Sequence, residues 1–236
     1  MEITMSNLVV EITRQCNMQC AHCLRGDSEE DVLNLEYVEN MFKHVNYIST
    51  ITFSGGEPLL HPEIIEQIVV LAKKHNVAFG NFYIATNGTI RLSEVVSTVF
   101  NLYEYCEENE ISMIKISNDQ FHRDATMHIN RAKFVKEWEM LRFVEISKDY
   151  KPEMLLYQGY SHGATARTLR KETPYIEVDE NLVYTENDFY LNCKGNIILG
   201  CDFSYNNQEE EENIWCHSRD FLTTIENLAE IMEEAV

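Results

Sequence analysis

Three cysteines near the N-terminus have the spacing of a metal-binding loop. Cys16, Cys20 and Cys23 form a C-x₃-C-x₂-C triplet. Thiolates are the usual ligands of iron–sulfur clusters, and one short loop can wrap three of them around adjacent corners of a cube. Three protein ligands for four irons leave one iron open to an outside ligand. The triplet therefore predicts a [4Fe–4S] cluster with one open coordination position.

Two other interpretations of these cysteines remain open from the spacing. A structural zinc site has four closed ligands, often a C-x₂-C pair together with a second pair. His22 is a nearby fourth donor, but its neighbours Ala21 and Cys23 leave it little freedom to reach the same metal. The three cysteines could also be a chance grouping, since short motifs give false positives. The spacing favours the cluster over both.

Alternating apolar patterns indicate how the chain positions this loop. Runs typical of strands lie at residues 8–12, 51–53, 82–85 and 113–116. Each is followed by apolar residues at helical spacing, at 35–48, 62–72, 92–103 and 134–141. Strands that alternate with helices predict βαβ crossovers and a parallel sheet. A fifth strand is predicted at residues 154–157, and a hairpin followed by an amphipathic helix is predicted after residue 175.

Polar or glycine-rich segments follow several of these strands. They are the cysteine triplet, Gly55-Gly56-Glu57, Asn87-Gly88 and Ser117-Asn118-Asp119. In parallel α/β folds, ligands bind at the carboxyl ends of the strands, where these loops converge. We therefore expect the four segments to form one site.

The order of these motifs resembles the radical S-adenosylmethionine (SAM) superfamily. The residues that carry the resemblance are the cysteine triplet after the first strand and Gly-Gly-Glu-Pro, residues 55–58, after the second. The resemblance covers about residues 8–160. It implies an α/β fold, a partial (β/α)₆ TIM-like barrel with a short C-terminal extension. The expected division is a radical SAM core at residues 1–175 and an extension at 176–236, which would complete the barrel.

The resemblance also implies the cofactors and the reaction. Cys16, Cys20 and Cys23 would bind the [4Fe–4S] cluster, and SAM would chelate the open iron through its amino and carboxylate groups. One electron would then cleave SAM to methionine and a 5′-deoxyadenosyl radical, which abstracts hydrogen from the substrate. In such enzymes the cofactors carry the difficult chemistry, and the protein supplies placement and exclusion of water.

The residues after the second strand match the family's SAM-binding loop. Gly55 and Gly56 lack side chains, so the backbone can approach the cofactor closely. The matching position in the family suggests that Glu57 helps to hold the SAM amino group, although a carboxylate in a turn is the simpler alternative.

Four further residues match positions that face SAM in the family. His22 stands where an aromatic residue or histidine approaches adenine. Asn87 matches a polar position after the third strand, although it could be a plain turn residue. Ser117 and Asp119 match an element that meets the SAM ribose or carboxylate, and their side chains suit ribose hydroxyl groups. His122 and residues 157–163 could face substrate, but an isolated loop histidine is usually incidental.

The three C-terminal cysteines suggest an additional feature. Cys193, Cys201 and Cys216 are similar to the start of an auxiliary-cluster extension of the SPASM or twitch type. That extension needs at least four cysteines per auxiliary cluster, and Cys106 lies far away on a predicted helix. We therefore expect buried free thiols, which behave as small apolar side chains. The alternative is a second cluster with a substrate or non-cysteine ligand.

Composition limits the function classes and the compartment. The 236 residues include 19 Lys+Arg and 39 Asp+Glu, for a net charge of −20. Such a charge argues against nucleic acid and anionic membrane surfaces as partners. The sequence shows no signal peptide and no apolar run of about 18 residues. We expect a cytoplasmic protein, in which structural disulfides are rare. The acidic residues 209–212 are predicted to form a solvated loop.

Several functions remain compatible with these features. Peptide modification is slightly favoured, because the C-terminal hairpin resembles that of peptide-modifying relatives. Only about seven residues precede the first predicted strand, so a precursor-binding domain is expected to be missing or encoded separately, which weakens the peptide interpretation without removing it. The alternatives are a small-metabolite radical enzyme or a glycyl-radical activating enzyme, and the non-enzyme alternative is a zinc-stabilised binding domain. The expected partners are a peptide or small-molecule substrate and an external one-electron donor such as flavodoxin or ferredoxin.

Overall fold

The computed structural model describes residues 2–125, 131–147, 159–161, 172–179 and 182–234. These residues form a single mixed sheet together with six α-helices. The strands are β1 (Glu2–Thr13), β2 (Val45–Gly55), β3 (Ala78–Thr86), β4 (Met113–Ile116), β5 (Val144–Ile146), β6 (Ile176–Asp179), β7 (Leu182–Leu191), β8 (Asn196–Leu199) and β9 (Ile214–His217). The helices are α1 (Leu35–Phe42), α2 (Pro62–His75), α3 (Leu92–Tyr105), α4 (Gln120–Ala125), α5 (Arg131–Trp138) and α6 (Phe221–Glu234).

The first five strands form the parallel part of the sheet. The strand order across the whole sheet is β5-β4-β3-β2-β1-β7-β8-β9, and β6 also pairs with β7. Strands β1 to β5 pair in parallel in sequence order. Strand β7 pairs with the other edge of β1, also in parallel. Strands β6 and β8 pair with β7 in antiparallel orientation, and β9 pairs with β8 in the same way. This parallel-strand-rich α/β sheet confirms the predicted partial TIM-like barrel, and the C-terminal strands extend that same sheet.

Apolar side chains cover the two faces of the sheet unequally. Alternate residues of a strand point to opposite faces. In β1, Leu8 and Val10 belong to the large apolar cluster that includes the buried faces of α1, α2, α3 and α6. Val9 points to the other face and packs in a small cluster with Tyr190, Ile198 and Phe203. The second face is therefore thinly covered by apolar side chains, and it also carries the buried charges described below.

The structure corrects several predicted boundaries. The first helix ends at Phe42, and Val45 and Ile48 belong to β2 rather than to that helix. Their spacing of three fits a helix, but parallel pairing of Ile48 with Met5 of β1 decides the conformation. Helix α5 ends at Trp138, before Leu141, and strand β5 was not predicted. The predicted strand at residues 154–157 lies outside the described residues.

Among the described residues, no helix combines the length and the apolar character that crossing a membrane requires.

Candidate functional site

A cavity of about 770 Å³ lies at the carboxyl ends of the first four strands. The four segments singled out from the sequence all contribute to its wall. Eight of the ten predicted site residues line it, and Glu57 and Asp119 are buried behind the wall. The eight are Cys16, Cys20, Cys23, His22, Gly55, Gly56, Asn87 and Ser117. The stretch 157–163 is described only at residues 159–161, of which Ser161 lines the cavity.

The three cysteines occupy one loop that begins directly after β1. The N–H of Cys16 donates to Ser28 Oγ at 2.9 Å, and the N–H of Cys23 donates to the Cys20 carbonyl at 3.0 Å. Burial raises the pKa of Cys16 to about 11 and that of Cys20 to about 12, and the charges of neighbouring thiolates in the loop add to both shifts. A bound metal would therefore have to displace the protons of Cys16 and Cys20.

The spread of the donor atoms tests which metal centre fits the loop. We looked for ligand atoms of cysteine, histidine or carboxylate side chains that lie within 4.8 Å of one another in groups of three. Within the described residues, one such group occurs, and it belongs to Cys20, His22 and His122. The sulfurs of Cys16, Cys20 and Cys23 are thus more widely spread. A tetrahedral zinc ion with bonds of about 2.3 Å needs sulfurs about 3.8 Å apart. The three sulfurs face one cavity but are too far apart to bind a single zinc ion together. Their arrangement fits a cluster of several irons.

Gly55 and Gly56 lie in close contact with the backbone of residues 13–15, which leads into the cysteine loop. A Cβ atom on Gly55 would lie 2.2 Å from the Thr13 carbonyl oxygen, and one on Gly56 would lie 2.1 Å from the Gln15 carbonyl oxygen. The N–H of Gly56 donates to Thr13 at 2.7 Å. The glycines therefore fix the cysteine loop against the end of β2, as well as lining the cavity.

Glu57 joins the loop after β2 to the end of β3. Its side chain is fully buried, with 0% exposure. One carboxylate oxygen accepts from the Leu59 N–H at 3.1 Å and the Thr86 hydroxyl at 2.8 Å, and the other accepts from the Asn87 N–H at 2.7 Å. Burial raises the pKa of Glu57 and the three hydrogen bonds lower it. Burial has the larger effect, so the pKa rises to about 7. A direct contact of Glu57 with the SAM amino group stays a prediction.

Asn87 connects the third strand with the first cysteine. Its Nδ2 donates to Asn17 Oδ1 at 3.0 Å and lies 3.8 Å from the Cys16 sulfur. Because its backbone N–H is held by Glu57, the amide is fixed in the cavity wall. Asn87 is therefore more than a turn residue.

The loop after β4 carries a buried carboxylate between two imidazoles. Asp119 Oδ2 lies 2.7 Å from Nδ1 of His122 and 3.6 Å from Nε2 of His22. Burial would raise the pKa of Asp119, but the charge and hydrogen bonds of His122 and the charge of His22 bring it below its ordinary value. Burial lowers the pKa of both histidines. His122 lines the cavity, so it lies where it could face substrate, which is one of the two interpretations that the sequence left open.

Arg131 was not identified from the sequence, although it holds two walls of the cavity together. Its side chain reaches from α5 and donates to the carbonyl oxygens of Asn87, at 2.6 Å, and Ser117, and to Asn118 Oδ1 at 2.8 Å. The residue is only 5% exposed. A lone arginine in a helix gives no sequence signal of such contacts, because its partners lie on other elements.

A second arginine links the cysteine loop to the C-terminal segment. Arg14 is completely buried and lies 2.9 Å from Glu11, 2.7 Å from Glu29 and 2.7 Å from Glu209. Glu209 also pairs with Lys194. Glu209 is exposed, as predicted for residues 209–212, but its carboxylate is also held by Arg14 and Lys194.

Arg25 and Tyr205 strengthen this connection. Arg25 follows the third cysteine closely and donates to the carbonyl oxygens of Cys201, at 2.8 Å, and Phe203. In return, the N–H of Tyr205 donates to the Arg25 carbonyl at 3.0 Å. Residues 201–209, which we name the C-terminal strap, thus lie across the cysteine loop.

The C-terminal cysteines do not converge. Cys193 lies at the turn between β7 and β8, and Cys201 lies beyond the other end of β8. The four residues of β8 alone span about 13 Å, at about 3.3 Å per residue. Cys216 lies on β9, opposite Ile197. No metal-sized group of ligand atoms among the described residues includes these three cysteines. Burial raises the pKa of Cys193, as it does for Cys201 and Cys216, which agrees with uncharged thiols.

Comparison with a solved structure supports the fold. The structure of histidine-tagged anSMEcpe with bound AdoMet matches 92% of this chain and 78% of its own chain, with a TM-score of 0.50 and 16% sequence identity. At this identity the likeness establishes the architecture only.

Several curated proteins match part of the sequence, and two of them illustrate the range. GTP 3′,8-cyclase of Microcystis aeruginosa is 28% identical over 144 residues, which cover 56% of this chain and 41% of that protein. The antilisterial bacteriocin subtilosin biosynthesis protein AlbA of Bacillus subtilis is 33% identical over 89 residues, which cover 36% of this chain and 19% of that protein. The chain thus spans less than half the length of either relative.

A family model decides the assignment. The radical SAM superfamily model matches residues 10–152, which include the cysteine triplet and the loops after β2, β3 and β4. This match covers more than half of the chain. The chain therefore belongs to the radical SAM superfamily, a family of enzymes that use a [4Fe–4S] cluster and SAM.

Proposed function

We propose that Cys16, Cys20 and Cys23 hold a [4Fe–4S] cluster and that the cavity beside them binds SAM. The observation that carries this proposal is that three thiols of one loop line the same cavity as the glycine pair and Asn87. When bound, the cluster and SAM would supply one-electron reductive cleavage of the C5′–S bond to methionine and a 5′-deoxyadenosyl radical, and with it the ability to abstract a hydrogen atom from the substrate.

The chain's own residues bind and orient in this scheme. Gly55 and Gly56 hold the cysteine loop against β2, and Asn87 holds the Cys16 side of that loop. We infer that His22 meets the adenine and that Ser117 meets the ribose or the carboxylate of SAM. Asp119 positions His22 from behind the wall. Glu57 acts through Asn87 and the loop backbone, because three donors already occupy its carboxylate.

For the substrate, we favour a peptide with basic residues. One support is the partial match to AlbA, whose name assigns it to biosynthesis of the bacteriocin subtilosin. A second support is the net charge of −20, which attracts a basic partner electrostatically. GTP, suggested by the cyclase relatives, is less suited to this cavity. Arg14 is already bound to three carboxylates, and Asp27 and Asp202 line the same wall as Arg25.

Anaerobic reconstitution tests the cofactor assignment. We expect about four irons per chain, a paramagnetic signal of the reduced cluster that shifts when SAM is added, and formation of 5′-deoxyadenosine. The Cys16→Ala, Cys20→Ala, Cys23→Ala triple variant should lose all three. Cys106→Ala removes a buried thiol outside the cavity and serves as the matched control. Equal 5′-deoxyadenosine yields from the triple variant and the wild type would contradict the proposal.

A separate measurement tests the substrate class. Reduced enzyme with SAM is incubated with a pool of basic peptides, a pool of acidic peptides of equal length, or GTP. The electron donor is dithionite or reduced flavodoxin. Faster 5′-deoxyadenosine formation and a mass change only with the basic pool would support peptide modification. Stimulation by GTP alone would favour a nucleotide substrate instead.

A further inference from the structure

Cys20, His22 and His122 bring three metal-ligand atoms within 4.8 Å of one another. Two of these residues lie in the cysteine loop, and the third lies on α4. We propose that these three side chains form a site for one Zn²⁺ ion when the cluster is absent, and that zinc and the cluster exclude each other. The second half of this inference rests on the proposed cluster role of Cys20.

Asp119 orients the imidazole of His122 for such a site and lies close to that of His22. Its Oδ2 lies 2.7 Å from Nδ1 of His122, so a neutral ring that donates there carries its lone pair on Nε2. The same oxygen lies 3.6 Å from Nε2 of His22. Nδ1 of His22 is buried and has no hydrogen-bond partner within the described part of the chain. A carboxylate behind a ligating histidine is the usual outer partner in zinc sites, because it fixes the tautomer and the ring orientation.

Ring packing holds the two histidines in place. Phe121 stacks on His22 with centroids 4.5 Å apart and an interplanar angle of 16°. His122 meets His22 edge to face, with centroids 4.9 Å apart. The donors are therefore oriented by neighbouring side chains, and small shifts would bring them to zinc distances of about 2.0–2.3 Å.

The donor chemistry selects zinc over iron in the cluster-free protein. One thiolate and two imidazoles are common zinc ligands. At nitrogen and sulfur sites, Zn²⁺ generally binds more tightly than Fe²⁺. Because the Cys20 sulfur belongs to both ligand sets, bound zinc removes a cluster ligand, and a bound cluster removes the thiolate of the zinc site. Free zinc would thus slow cluster assembly.

Cobalt titration tests the site without requiring any activity. Co²⁺ is added to metal-free protein, and the visible bands of tetrahedral Co²⁺ with a thiolate ligand are recorded. The Cys16→Ala, Cys23→Ala variant should still bind one Co²⁺, and adding His122→Ala should weaken binding at least tenfold. Loss of binding in the double cysteine variant, or no effect of His122→Ala, would overturn the site. His75→Ala, which alters an unrelated pair with Glu39, is the control and should bind normally.

A second measurement tests the exclusion. Equimolar Zn²⁺ should lower the iron incorporated by the wild type severalfold, and His122→Ala should incorporate iron regardless of zinc. Equal inhibition of both proteins would contradict the exclusion. If the wild type incorporates no iron even without zinc, the proposed cluster fails, whereas the cobalt titration still decides whether the zinc site exists.

Discussion

Arg14 and Glu209 are 195 residues apart in the sequence, and Nη1 of Arg14 lies 2.7 Å from Oε1 of Glu209. This contact joins the residue at the start of the cysteine loop to the C-terminal strap. Arg14 also neutralises Glu11, which is completely buried. The strap therefore belongs to the structure that supports the candidate cluster.

We expect Arg14→Met to destabilise the protein by about 3–5 kcal/mol, because it leaves Glu11 buried without its charged partner. Glu209→Gln should cost less than about 1 kcal/mol, since Glu209 is partly solvated and its pair with Arg14 is screened. Urea unfolding of both variants measures the difference. Equal losses in the two variants would show that the buried charge of Glu11 is not what Arg14 stabilises.

Gly56→Ala should prevent correct placement of the cysteine loop. Its added Cβ would lie 2.1 Å from a backbone oxygen, which cannot move as a flexible side chain could. We expect less than half of the wild-type iron after reconstitution. Gly200→Ala is the control, because its Cβ meets nothing closer than 3.5 Å although its φ is +94°. If the two variants retained iron equally, the close approach at Gly56 would not matter for the loop.

Glu57 should make stability depend on pH. Burial raises its folded-state pKa to about 7 from an ordinary value of 4.5. The native state therefore holds a proton that the unfolded state releases, and this contribution is fully present below about pH 4.5 and is lost as pH rises through about 7. When protonated, Glu57 can donate to the Thr86 hydroxyl.

Glu57→Gln should flatten this part of the pH profile. The measurement is the free energy of unfolding of wild type and variant between pH 5 and pH 8. We expect the wild-type value to fall relative to that of the variant over this interval. Parallel profiles would mean that Glu57 does not titrate there.

Arg131→Lys should weaken SAM binding at least tenfold with little change in iron content. Lysine cannot reproduce the planar fork that reaches Asn87, Ser117 and Asn118 together. Titration of the reduced cluster's paramagnetic signal with SAM measures the affinity. Arg91→Lys alters an exposed pair with Glu137 and should leave the affinity unchanged. Loss of iron together with affinity would indicate a wider structural role for Arg131.

A variant with Cys193, Cys201 and Cys216 all changed to Ala should keep about four irons per chain, the content of one cluster. Cys193 and Cys201 lie beyond opposite ends of β8 and Cys216 lies on β9, so their removal takes no ligand from the candidate cluster. A fall from about eight irons to about four would instead reveal an auxiliary cluster.

The location of the site could be predicted because its signals are local. The cysteine spacing and the glycine pair each lie within a few residues, and strand ends of a parallel sheet meet at one edge. The roles of Arg131, Arg14 and His122 could not be predicted in this way. Their partners lie on other elements, and nothing in the sequence near each residue indicates which carbonyl or carboxylate it will meet.

The same distinction explains the errors in the fold. Ile48 has helical spacing relative to Met41 and Val45, and only pairing with β1 identifies it as a strand residue. The attachment of β7 to β1 is likewise a long-range contact without a local pattern. Short segments such as β5 have too few residues to show a period.

The position of β1 between β2 and β7 has a consequence for synthesis of the protein. Asn7 pairs with Asp188, 181 residues later in the chain, so the strand that leads into the cysteine loop stays open at one edge until β7 has been made. Long-range parallel pairings of this kind form late. On the ribosome, the thiols of the loop would emerge well before β7, the strand that completes the sheet supporting them. Maturation of the metal centre is therefore expected to follow translation rather than to accompany it.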